Sequence, residues 1–444
     1  MKYAIFSLAA LAVIPGAFFF AVSRKWLGRT MILLMIPVLF QRWTAINFDS
    51  IEWYRGTVRG FEVSLCYLVA IMAILTQIVR GKSIKWVPGA GAWLYLAYFL
   101  WSCLSLMNCA SVEVGCMELM KMVMMYIVFV AVYNWLEYGG EPKNLLAGFA
   151  IVLVYNFVTV VYQHVTGTWQ VRGTFQHQNS LALYALFVVP IFFAYYLNVR
   201  GKLEKYVAFV VLACGSAVLV RTFSRGAILC LPIACLLTMG LCFVRNFRFG
   251  LISRLLPLAV IGFIGLLAIM PLVIVRFVTA PKSSGNGRIQ LARVAVNMMK
   301  DEPLFGIGIN NWGIKVNPPY PYWKGTGRRT NPGESGPDYQ DTLVETVYLL
   351  VGAECGLPAL GIMLAMYAYF FFSCLSLSKH LAGTSCFYLP AGIAGGLCGS
   401  YVQSCLEWIL KQATSFSEMM ILFAIVAYLN KNWRQLRALE LKKK

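Results

Sequence analysis

Hydrophobic residues fall along this chain in long unbroken runs, neither alternating as in a half-buried strand nor forming the one-sided stripe of a soluble helix. Taking roughly 20 apolar residues as one bilayer crossing, candidate spans lie near 3–21, 30–41, 61–79, 87–107, 115–135, 144–166, 179–198, 206–220, 226–244, 255–278, 355–374, 383–407 and 416–430. The pattern predicts an all-α polytopic membrane protein with twelve or thirteen transmembrane helices, residues 1–444 forming a single integral membrane domain. The run MILLMIPVLF is the shortest candidate. The first run follows Met1-Lys2 as an export signal would, but it has no small-residue cleavage site and is long for such a segment, so it reads as a retained helix.

One stretch breaks the pattern. After the run at 255–278, about sixty residues pass with nothing able to cross a bilayer, and residues 279–341 are therefore expected to form one large loop between spans. From 281 to 340 it carries eight positive residues (Lys282, Arg288, Arg293, Lys300, Lys315, Lys324, Arg328, Arg329) against four negative (Asp301, Glu302, Glu334, Asp338). The loop is a cationic cap. An amphipathic lead-in follows, placing Asp341, Glu345 and Glu354 at the mouth of the next span, with a helix expected to start near Asp341 and turn Glu345 to the same face.

Charge then orients the bundle, because Lys and Arg in short loops stay on the cytoplasmic side. Arg24-Lys25-Arg29, Arg80-Lys82-Lys85, Arg200-Lys202-Lys205, Arg245-Arg248-Arg254 and the basic tail 431–444 follow alternate spans and agree on one side. Connections 42–60, 108–114, 167–178, 221–225, 279–341 and 408–415 are then extracytoplasmic. These outer connections nonetheless hold arginines: Arg42, Arg55 and Arg59; Arg172 beside His177 and Asn179; Arg221 and Arg225; Arg288 and Arg293. An arginine that orientation does not require points to an anion, since its planar fork suits two-point contact with phosphate.

Composition agrees. Hydrophobic residues are 59% of 444 and charged residues 13%, about half the ~25% of soluble domains, and mean hydropathy is +0.69. A net charge of +20 would suggest nucleic acid in a soluble protein; here the positive residues sort by membrane side, so lipid is the expected partner and nucleic acid is not. Thirteen cysteines lie mostly in apolar runs, and the three histidines, His164, His177 and His380, are far apart and near no CxxC, so neither a disulfide framework nor a metal site is expected.

Each feature also has a plainer reading. Arg221 and Arg225 can snorkel at an interface, although their four-residue spacing would put both on one helical face. His177 alone is more often a hydrogen-bonded structural histidine than a catalyst. GIGIN at 306–310 lacks the strand-to-helix context of a phosphate loop and reads as a turn. Glu345 can simply pair with a loop arginine, and Glu118 and Lys121, one turn apart in an apolar run, are expected to satisfy each other.

Taken in order, RGTFQHQN before a span, TFSRGA between spans, GRIQLARVAVNMMKDEPLFGIGINNW in a long outer loop and ETVYLLVGAECGLPALG leading into the next span resemble the O-antigen ligase and O-antigen (Wzy-type) polymerase family. The resemblance covers roughly residues 140 to 375. It implies a bacterial inner-membrane glycosyltransferase that uses a glycan on undecaprenyl diphosphate at the periplasmic face, with no cofactor, nucleotide sugar or metal. It further implies that Arg225 and Arg288 bind the diphosphate and act in catalysis, while Arg172, His177, Asn179, Arg221, Arg293, Arg55 and Arg59 of the outer connections stand as substrate-binding candidates on the arginine argument above. Family ligases carry a functional histidine, then Asn or Ser, nine residues and Gly. Here the frame is Glu345-Thr346, nine residues, Gly356, so Glu345 takes the histidine's place as the catalytic candidate and tilts the expectation from ligase toward polymerase.

Such a donor already has a good leaving group and needs its growing charge neutralised, which arginines can do. Attack from the opposite face of the anomeric carbon would invert it, with Glu345 handling the acceptor's proton. The acceptor stays open among glycan, lipid and protein. Two other classes remain: a transporter or flippase of the same lipid-linked glycan, and a non-catalytic assembly protein of polysaccharide export.

Overall fold

The computed structural model describes residues 2–23, 35–37, 44–52, 54–247, 249–278, 282–327 and 343–442. Among these the chain is overwhelmingly helical, and eight helices are long and apolar enough to cross a membrane, or nine if the bent pair Tyr3–Leu11 and Val13–Val22 counts as one. Among the described residues this is fewer than the expected twelve or thirteen spans. The candidate at 30–41 falls largely outside the described residues. The one at 61–79 opens with the strand Phe61–Ser64, which pairs antiparallel with Ala45–Phe48, leaving a 15-residue helix Leu65–Val79. Such a helix is about 22 Å long, short of a ~30 Å hydrocarbon core. Ser64 ends the strand and caps this helix, its Oγ accepting from the Cys66 amide. Among the described residues, that hairpin departs from an all-α chain. The candidate at 383–407 shortens to Tyr388–Gln403, and the run at 255–278 lies within the 29-residue helix Gly250–Val278.

The chain divides into two compact units. One comprises Phe149–Lys282, Phe370–Gln403 and Tyr428–Lys444. Its centre is the helix Gln178–Asn198, 94% of whose apolar window is buried, as expected for a helix apolar on every face. The glycines of Tyr388–Gln403 let that helix press against it: a Cβ on Gly392 would sit 2.4 Å from the Ile191 Cα, and one on Gly396 2.7 Å from the Phe187 carbonyl oxygen. Between membrane helices, where no water is displaced, such close backbone packing is the main source of attraction.

The other unit comprises Met1–Gly148, Ser283–Tyr369 and Ser404–Ala427 and contains the described part of the large loop. The loop begins with the amphipathic helix Lys282–Asp301. Leu291, Val294, Ala295 and Met298, spaced three and four apart, are buried against Trp312, Tyr322, Val344 and Leu350, while Arg293 and Lys300 face outward. Each large apolar side chain on that face contributes roughly 1.5–3 kcal/mol by leaving water. GIGIN is the expected turn, with Gly306 and Gly308 at φ +68° and +105°. It threads against a broken helix. Val347–His380 is interrupted at Gly356 (φ 83°, ψ 171°), and the carbonyls freed there accept from the loop: Ile307 N to Ala353 O at 2.9 Å and Gly308 N to Glu354 O at 3.0 Å. On the far side of the break, Leu357 N donates to Pro303 O at 2.8 Å.

Candidate functional site

In the unit that holds the loop, charged groups collect where Lys282–Asp301, residues 343–346 and residues 404–411 meet. The Arg288 guanidinium pairs through Nη2 with Glu345 and lies 3.6 Å from Glu407 Oε1, while Nη1 reaches the Leu406 carbonyl at 3.5 Å. The side chains are 34%, 29% and 14% exposed respectively, so solvent reaches Arg288 and Glu345 more freely than Glu407. One cation faces two carboxylates. Glu345 is therefore at least the charge partner its plainer reading requires. It does not sit on a helix begun near Asp341: Asp341 lies outside the described residues, and the helix starts at Val347. Leu343 and Val344 are drawn into the core and Val347 N donates to Ser404 O at 3.1 Å, which holds residues 343–346 off the helix.

The segment 404–411 is fixed at its other end by a buried polar network. Lys411 Nζ lies 2.8 Å from Glu354 Oε2 and 3.7 Å from Glu118 Oε1; Lys121 Nζ lies 2.7 Å from Glu118 Oε2 and donates to the Lys411 carbonyl at 2.7 Å. Glu118 and Lys121 do satisfy each other as expected, but as half of a four-charge group with no net charge. Thr57 Oγ1 donates to Glu118 Oε2 at 2.6 Å and lies 3.1 Å from Asn310 Oδ1, and the Asn310 amide donates to Val114 O at 2.7 Å. The Tyr54 hydroxyl donates to the Asn310 carbonyl. Asn310 thus ties residues 54–58, the helix Val112–Glu137 and GIGIN together. Buried charges persist only when paired and hydrogen-bonded, and these four meet that condition.

The other loop-unit candidates stand apart. Arg293 is exposed on the outer side of its helix. Arg55 and Arg59 are exposed, and partial burial together with the nearby Arg55 charge lowers the Arg59 pKa below its ordinary value.

The second unit holds the remaining candidates. His177 caps the helix Gln178–Asn198: its Nδ1 accepts from Asn179 N at 3.2 Å, the structural role expected of a lone histidine. Burial, then the Arg172 charge, push its pKa below the usual histidine value. Arg172 and His177 line one cleft of about 330 Å³ with Gln163, Thr168, Gln170, Gln176 and Gln178. The 172–174 backbone is fixed from Pro142–Val165, Gln163 Oε1 accepting from Arg172 N and Gly173 N at 3.1 and 3.0 Å and Asn156 Oδ1 from Thr174 N at 2.8 Å. Arg221 and Arg225 do not share a helical face. Arg221 ends the helix Lys202–Arg221 and Arg225 begins Arg225–Asn246, the chain reversing through Phe223 at φ 52°. Four residues of spacing signify one face only where the helix is continuous. Arg221 Nη2 lies 3.0 Å from His164 Nε2.

Sequence reasoning missed Glu407, Lys411 and Asn310. A signal existed for the first two, since a glutamate and a lysine four residues apart between apolar runs are expensive in lipid and call for partners. Asn310 was hidden inside what reads as a turn.

No curated protein matches the chain. The family model Wzy_C, described as O-antigen ligase, matches residues 208–364, about a third of the chain. That stretch contains Arg221, Arg225, Arg288, Arg293, Glu345 and Gly356 but not Arg172, His177, Glu407 or Lys411. Residues 208–364 of this membrane protein are thus similar to the O-antigen ligase family, which its motifs resemble.

Proposed function

We propose that the protein is a metal-independent, inverting glycosyltransferase of the bacterial inner membrane, which takes a glycan from undecaprenyl diphosphate at the extracytoplasmic face and acts as a polysaccharide polymerase. The family match supports a glycan-transferring membrane enzyme with lipid-linked substrates; the donor, the face and the mechanism are our reading. The observation that carries it is Arg288 shared between Glu345 and Glu407, because it sets a fork able to bind phosphate beside a carboxylate able to take a proton.

In this mechanism the acceptor hydroxyl oxygen attacks the anomeric carbon as the bond from that carbon to the diphosphate oxygen breaks. The hydroxyl proton passes to Glu345, and the electron pair of the broken bond leaves on the diphosphate. Arg288 stabilises that growing charge. Arg225 is a diphosphate ligand only on the family's pattern, and Arg225→Lys tests it separately, since Lys keeps the charge but not the fork.

The test incubates purified protein with synthetic undecaprenyl-diphosphate oligosaccharide and follows longer glycans and released undecaprenyl diphosphate. Transfer is expected from the wild type, with losses of about 100-fold or more in Glu345→Gln and Arg288→Lys. A wild type that elongates nothing and releases no undecaprenyl diphosphate refutes the reading. One observation favours a transporter instead, namely a helix broken over a buried charge network, as in many carriers. Movement of intact lipid-linked glycan across vesicles without bond cleavage would support it.

A further inference from the structure

Arg288 faces two carboxylates, and the second comes from a segment that neither the sequence motifs nor the matched family region includes. Glu407 is held there by more than its own contact. Ser404 O accepts from Val347 N at 3.1 Å, Trp408 packs on the loop's core cluster, and four residues on Lys411 is anchored on Glu354 at 2.8 Å while its carbonyl accepts from Lys121. The segment 404–411 is therefore fixed at both ends, with the Glu407 carboxylate less exposed than that of Glu345.

Three charged groups at one point have a consequence for any anion that arrives. A guanidinium paired with one carboxylate already has donors engaged, and a second carboxylate adds further negative charge beside it. An incoming diphosphate must compete with both carboxylates for the same donors. Glu407 also draws on the guanidinium that holds Glu345, leaving that pair easier to open.

We propose that Glu407 is a positioning residue that shares Arg288 with Glu345, weakening the donor's hold on the arginine and keeping Glu345 free to leave it for the acceptor's proton. This rests on the glycosyltransferase reading above. It makes the structure-derived Glu407 a determinant of both affinity and rate, with opposite signs.

The experiment measures binding of undecaprenyl diphosphate to full-length protein in detergent, with undecaprenyl monophosphate as the comparison, alongside single-turnover transfer from the synthetic oligosaccharide donor. Glu407→Gln removes one negative charge beside Arg288 and is expected to bind the diphosphate about fivefold tighter and to transfer at least about tenfold more slowly. Glu407→Asp draws the carboxylate back by one methylene and is expected to fall between, about twofold tighter. A merely structural role would weaken binding in both variants, so diphosphate affinity equal to or below wild type overturns the proposal, as does unchanged transfer in Glu407→Gln. If Glu407→Gln does not fold, the Glu407→Asp affinity decides alone. A wild type that neither binds the diphosphate nor transfers would instead overturn the functional reading.

Discussion

Replacing Gly356 with alanine tests whether the helix break is required or incidental. The residue sits at φ 83°, ψ 171°, a region open essentially to glycine alone, so any side chain there costs about 1–3 kcal/mol in backbone strain. The added Cβ would also lie 2.1 Å from the Leu304 carbonyl oxygen and 2.5 Å from its carbon. Those are main-chain atoms and cannot rotate away, so the loop at 303–308 must move, at a further cost of about 1–3 kcal/mol by analogy with overpacked cores. The sum, about 2–6 kcal/mol, is a large fraction of a typical 5–15 kcal/mol total. Displacement would also strain Leu357 N to Pro303 O and the two bonds from Ile307 and Gly308, which hold Glu354 and through it Lys411 and the 404–411 segment. The assay is thermal unfolding in detergent, with Gly361→Ala as the control, since a Cβ there meets nothing within 4 Å. Gly356→Ala should lower Tm on the order of 10 °C and abolish transfer, whereas Gly361→Ala should be neutral or slightly stabilising. If both variants unfold together at the wild-type temperature, the break carries no strain and the close approach of the loop is wrong.

Lys411→Met should destabilise by about 3–5 kcal/mol because it strands Glu354 and leaves Glu118 with Lys121 alone, whereas Lys411→Met combined with Glu354→Gln should recover much of the loss in the same unfolding measurement. His177 binds its proton less readily in the folded chain than at its ordinary value, so its contribution is present above about 6.5 and is lost as pH falls below that toward the lower folded-state value. The wild type should accordingly lose Tm between pH 7 and 5 more steeply than His177→Gln, and parallel profiles would remove His177 as the cause.

The length and polarity of the apolar runs decided the class, because a backbone in lipid must satisfy its own hydrogen bonds and a helix does so within one segment. The same logic made Glu118 and Lys121 partners and GIGIN a turn. Those inferences need only neighbours along the chain. Motif order was also legible, since four segments in sequence point to the family that residues 208–364 match.

Spacing failed where a helix stopped. Arg221 and Arg225 have helical separation but lie on two helices, because the turn at Phe223 falls between them. The start expected near Asp341 failed for a tertiary reason, as burial of Leu343 and Val344 and the Val347–Ser404 bond hold Glu345 ahead of the helix. What only the folded chain decided is which charges meet. Arg288 finds Glu345 57 positions away and Glu407 farther still, and Lys411 finds Glu354, pairings no local pattern encodes. Periodicity reports what each residue must hide from lipid or water, whereas partner choice for a buried charge depends on which distant segments the packed helices bring within a few ångströms.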